Sequence, residues 1–152
     1  MTKFYFFIIL FFCYSLSYAD SNVKMDKLLN SMECISCDFS ELQLNKLNLW
    51  NYNISKSNFT NSNLVKSNFQ GSNLSDSVFD GSILINSQFQ SVNFNNASLL
   101  NLKATASNFI GASFIKAKLN NYKITDHPSF ERSRISGKKK VNEFYGHCKD
   151  NR

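Results

Sequence analysis

From Phe39 to Ile124 the chain places a large apolar side chain at every fifth position, with one lapse. The centres are Phe39, Leu44, Leu49, Ile54, Phe59, Leu64, Phe69, Leu74, Phe79, Leu84, Phe89, Phe94, Leu99, Ala104, Phe109, Phe114, Leu119 and Ile124, and seventeen of the eighteen are Phe, Leu or Ile. An α-helix repeats every 3.6 residues and a strand every two, so neither sustains this spacing. The pattern predicts a coiled chain built from five-residue units, with the centres inside.

With the centre placed third in each pentad, the first position is Ser at 57, 62, 67, 72, 77, 82, 87 and 107, and Ala at 97, 112 and 117. The second position is most often Asn. Units such as Ser57-Asn58-Phe59-Thr60-Asn61 and Ser72-Asn73-Leu74-Ser75-Asp76 resemble the pentapeptide-repeat family, whose pattern is A-(D/N)-L-x-x. The resemblance covers about 90 of the 152 residues. It implies an all-β fold, a right-handed quadrilateral β-helix in which four pentads make one square coil. Such a tube sends the first and third side chains inward, and close packing then requires one small and one large residue per unit. Each inward Ser hydroxyl needs a backbone partner, because an unpaired buried hydroxyl is costly.

The lapse at Ala104 obeys the same volume rule, since its pentad carries Leu102 at the small position. Larger residues at the small positions of the first units (Leu42, Leu47, Tyr52) and of the last (Tyr122) are expected to close the ends. Stacking at twenty residues predicts ladders such as Phe39, Phe59, Phe79, Leu99, Leu119. Eighteen pentads make about four and a half coils, a rod roughly 22 Å long.

The flanks read differently. Residues 1–19 have the form of a signal peptide: Lys3, an apolar run from Phe4 to about Leu16, then Ser17-Tyr18-Ala19. An uncleaved N-terminal anchor is the alternative. Residues 20–36 form an N-terminal segment with a short capping helix over 22–32, where Met25, Leu28, Leu29 and Met32 make one stripe. The solenoid is expected over 37–126 and a basic tail, loosely capping or disordered, over 127–152. An incompletely capped end suggests homodimerisation through a β-helix end.

Without Lys3 the chain carries 16 basic and 11 acidic residues, and the surplus lies mostly in the tail, at Arg132, Arg134, Lys138, Lys139 and Lys140. That tail suits a protein or an anionic envelope component, and export disfavours nucleic acid. Val65, Val78, Ile83 and Ile85 form a candidate contact patch among polar outward positions.

Cys34-Ile35-Ser36-Cys37 is the only short motif with chemical content. It reads as a redox dithiol, half of a metal site with His147 and Cys148, or a pair of structural cap cysteines. Cys37 falls at an inward small position, and the Cys-x-x-Cys-Asp opening resembles the start of many pentapeptide-repeat tracts, which favours the structural reading. Both His residues (His127, His147) lie in the tail and no nucleophile motif occurs, so no catalytic residue, metal or cofactor is expected.

The functional expectation is a non-catalytic exported scaffold that presents β-helix faces and a basic tail to a partner. One alternative is an envelope thiol-redox protein using Cys34 and Cys37. The other follows from the family resemblance, a DNA mimic protecting type II topoisomerases, but it requires an acidic surface that this mildly basic tract lacks.

Overall fold

A computed structural model describes residues 30–119 and 134–135. Their backbone is a stack of parallel bridges at constant register: Asp38 pairs with Asn58, Asn58 with Val78, Val78 with Ser98 and Ser98 with Lys118, and the other three positions of the coil repeat this at twenty residues. Twenty residues are four pentads, and each pentad ends in a turn, so one coil has four sides. The faces are named here by their centres: first (Phe39, Phe59, Phe79, Leu99, Leu119), second (Leu44, Leu64, Leu84, Ala104), third (Leu49, Phe69, Phe89, Phe109) and fourth (Cys34, Ile54, Leu74, Phe94, Phe114).

Each corner is made by the last two residues of a pentad. The N–H of the next first-position residue donates to the central carbonyl, as from Ser62 to Phe59 (3.1 Å) and Ser72 to Phe69 (3.0 Å). The fifth residue has positive φ at every corner from Ser36 to Lys116, near 60° for side-chain-bearing residues and near 71° for Gly71, Gly81 and Gly111. This is type II turn geometry, which explains why Gly and Asn recur at that position. Asn or Asp at the second position has its own local reason: its side-chain oxygen accepts the N–H two residues on, as in Thr60 to Asn58, Gln70 to Asn68 and Ser40 to Asp38, each 3.0 Å.

Inside, Phe59, Phe69, Phe79 and Phe89 are completely buried. On the first face Phe39, Phe59 and Phe79 stack with centroids 4.9 and 4.6 Å apart; on the third, Phe69, Phe89 and Phe109 stack at 5.3 and 5.2 Å. Edge-on contact between Phe59 and Phe69 joins opposite faces across the tube. The inward serines are satisfied in two directions. Ser57 Oγ donates to Cys34 O and accepts from Cys37 N, both at 3.0 Å; Ser87 Oγ donates to Leu64 O (2.7 Å) and accepts from Ser67 N (3.3 Å). These hydroxyls pin successive coils together as well as filling space. Ser62 and Ser82 instead close their own turns by donating to Phe59 O and Phe79 O. Leu102 and Ala104 are both buried, so the exchanged sizes do fill the tube at the lapse.

Both ends differ from the expected boundaries. The solenoid begins one pentad before residue 37: Glu33 bridges Asn53, Cys34 N donates to Asn53 O (2.8 Å), and Ser36 has the corner φ of 59°. Cys34 thus takes a central position, which a search for Phe, Leu or Ile overlooks although its small sulfur side chain is buried there as a hydrophobe would be. Of the helix expected over 22–32, residues 22–29 lie outside the described residues; Asn30 and Ser31 are helical, and Met32 with φ 52° ends the turn. The signal segment also lies outside them.

At the other end, β1 (Ser113–Phe114) pairs in parallel with β2 (Arg134–Ile135), in the register Ser113 to Arg134 and Phe114 to Ile135. The offset is 21 residues, one more than in the coils. Arg134 N donates to Ala112 O (2.9 Å). At residues 134–135 the tail is therefore a further layer of the fourth face; the rest of residues 127–152 lies outside the described residues. The signal was a phase shift: beyond Asp126, Phe130 and Ile135 remain five apart, displaced by one residue from the original frame.

Four substitutions test the interior and corner chemistry. Phe89→Ala, in the middle of a three-ring stack, should cost about 3–5 kcal/mol in urea unfolding, whereas Ser87→Ala should cost about 1 kcal/mol for its lost hydrogen bonds. Ala106→Gly relieves a positive φ of 54° and should raise stability by up to about 1 kcal/mol. Gly71→Ala should lower it by a similar amount, since its Cβ would also press on Asn51 Oδ1.

Candidate functional site

Packing consumes the interior, leaving any chemistry to the first-coil cysteines and the outward side chains. Cys34 and Cys37 are joined by a disulfide, with Cα atoms 5.7 Å apart. Consecutive inward positions, one central and one first, face the same narrow bore on either side of a corner, which brings the sulfurs together. Cys34 is 1% and Cys37 7% exposed. In this state neither sulfur is a thiolate ligand, and among the described residues no three His, Cys, Asp or Glu side chains gather to hold a metal. His127, His147 and Cys148 lie outside the described residues.

Outward positions sort by face. The first face carries Asp38, Glu41 and Asp80, with Lys118 at its far end; the second carries Lys46, Lys66 and Lys103 and no acid; the fourth mixes Glu33, Lys56, Asp76, Lys116 and Arg134; and the third has no charge, all among the described residues. Asp76 and Asp80 do not meet: Asp76 Oδ1 accepts from Asn96 Nδ2 (3.0 Å) and Asp80 Oδ1 from Leu100 N (2.9 Å), on different faces.

Val65, Ile83 and Ile85 lie on the second face in two adjacent coils. Leu64 N donates to Ile83 O (2.8 Å) and Lys66 N to Ile85 O (2.9 Å), which sets Ile85 one coil from Val65. Val78 belongs to the first face, between Asn58 and Ser98. All four are half-buried; the more exposed large apolar residues are Trp50, Met32, Ile35 and Ile115. Arg134 is exposed on β2, whereas Arg132, Lys138, Lys139 and Lys140 lie outside the described residues.

The sequence model for pentapeptide repeats matches eight copies, over residues 37–76, 62–101 and 87–121. The chain belongs to the pentapeptide-repeat family. A pentapeptide-repeat protein from the thylakoid lumen of Arabidopsis thaliana superposes with a TM-score of 0.62 at 20% identity, over 64% of this chain and 69% of that one. That likeness supports the all-β solenoid. One from Nostoc PCC 7120 aligns at 17% identity and TM-score 0.44, over 76% and 94% of the two chains. QnrB1, a plasmid-mediated fluoroquinolone resistance protein, aligns at 15% and 0.32 over 68% of each. No curated protein matches the sequence.

The disulfide has a measurable consequence. It closes a loop of four residues, for which chain entropy gives about 2 kcal/mol. Cys34→Ser with Cys37→Ser should lower the unfolding free energy by about that amount, and the buried native disulfide should resist cleavage by an added dithiol, read by alkylation of the released thiols, until the first coil opens.

Proposed function

We propose that this chain is a non-catalytic, exported scaffold that holds an acidic protein or anionic envelope component against its second face. The observation that supports this most is the second face itself: Val65, Ile83 and Ile85 form an apolar strip beside Lys46, Lys66 and Lys103, with no acid on that face among the described residues. Apolar area supplies affinity, and single-sign charge supplies steering and selection of partner. A right-handed coil, a cleaved signal peptide over 1–19 and an N-terminal capping helix are part of the same proposal. Export is supported by the leader-like segment and by the lumenal residence of the Arabidopsis neighbour. The non-catalytic part of the reading is supported by an interior given over to rings and satisfied hydroxyls.

A second reading, thiol-redox work by Cys34 and Cys37, has the disulfide in its favour. Burial of both sulfurs weighs against it, because exchange needs an accessible sulfur. A DNA-like role fits poorly with a face bearing lysines alone.

The test is capture of envelope proteins and polymers by the full-length chain, against a variant with Lys46, Lys66 and Lys103 all changed to Glu. The wild-type set should fall away in the variant and weaken with rising salt; an unchanged set would reject the second face. The tail is examined by Lys138→Gln, Lys139→Gln and Lys140→Gln together. Truncation at Asp126 is unsuitable because it would also remove β2 from the last coil.

A further inference from the structure

The third and fourth faces carry similar amides put to different use. On the fourth face they pair with one another: Asn73 Nδ2 donates to Asn53 Oδ1 and Asn93 Nδ2 to Asn73 Oδ1, both at 3.0 Å. On the third, Asn48, Asn68, Gln88 and Asn108 stack in register, yet they make no such pairs. Asn68 Oδ1 accepts its own local N–H from Gln70, and the Asn68 amino group donates to no protein group among the described residues. The carboxamides of Asn48 and Gln70 engage no protein group among the described residues. Gln90 Nε2 donates to Gln88 Oε1 (2.7 Å), while Gln90 Oε1 is shielded from solvent and accepts nothing. An acceptor so placed is costly, and an outward rotation of its carboxamide would bring it to the surface.

On this face stands Trp50, 52% exposed and the chain's only tryptophan. The face also carries no Lys, Arg, Asp or Glu among the described residues, and its corners at Gly71, Ser91 and Gly111 are small. A flat surface with a free indole, unspent amide donors and acceptors and no charge matches a ligand dense in hydroxyls, with apolar ring faces and no charge of its own. We propose that the third face is a binding surface for a neutral polysaccharide, with Trp50 stacking on a sugar ring and Asn48, Asn68, Gln70 and Gln90 hydrogen-bonding its hydroxyls. An acidic polymer or a phosphate chain finds no cation there, and the surface is separate from the lysine-bearing second face, so either assignment can fail alone.

Trp50 emission reads the test directly in the full-length protein. Gluco-, manno- and chito-oligosaccharides are titrated, with polygalacturonate as the acidic control. At least one neutral series should shift the emission saturably and keep doing so in about 1 M salt, where the Debye length is about 3 Å. In affinity electrophoresis Trp50→Ala should weaken retardation by the same sugar about tenfold or more. Gln90→Leu should also weaken it while leaving the urea midpoint unchanged or higher, since it removes an unpaired acceptor; a structural role alone would lower the midpoint instead. Silence from every neutral sugar overturns the proposal. So does binding confined to polygalacturonate and lost in salt, or a self-association that Trp50→Ala abolishes, which would mark the face as a contact between copies.

Discussion

Parallel backbone hydrogen bonding at a twenty-residue register is the constraint on which everything else in this protein rests. It holds each residue about 4.8 Å from its equivalents in the neighbouring coils, so equivalent positions of the pentad must stack on one another. Phenylalanines accumulate as rings 4.6–5.3 Å apart on the first and third faces because the register leaves them nowhere else to go. Serines recur for the same reason: a hydroxyl at the small inward position reaches a carbonyl and an N–H of the preceding coil together, as Ser57 does with Cys34 and Cys37. The bore then admits one large and one small side chain per pentad, and Leu102 with Ala104 shows that their order can be reversed while the total stays filled.

The register also converts composition into surfaces. A side chain repeated in one of the three outward positions becomes a stripe, so a few Lys, Asp or Asn residues suffice to give each face its own character. That is how a mildly basic tract yields, among the described residues, an acid-bearing first face, a lysine-bearing second, an uncharged third and a mixed fourth. The two proposed binding surfaces are both stripes of this kind.

Much of the interior was legible in the chain, because a period of five survives the eye's ignorance of the third dimension: centres, small partners, the volume exchange at Leu102 and the need to satisfy each serine all follow from spacing and size. The first boundary was misplaced by one unit because Cys34 does not look like Leu, although it fills the same role. Arg134 and Ile135 were assigned to a tail because their phase is displaced by one residue, and a rule that counts only in fives discards them. The corner positions of Asn and Gly were visible but were not read as turn residues. The third face was harder still. Nothing in a list of amides says that Asn53, Asn73 and Asn93 pair with one another while Asn48, Asn68 and Gln70 do not.

The sequence by itself determined the repeat and the inward residues, since periodicity and side-chain volume are properties of the chain alone, and the square coil was what its resemblance to a family implied. Only the tertiary structure decided where the solenoid starts, that residues 134–135 extend its fourth face at a 21-residue offset, that Cys34 and Cys37 are bonded, and which amides remain free. Those outcomes depend on distances between residues far apart in the chain, and on competition among partners for the same hydrogen bond. Neither is written in spacing.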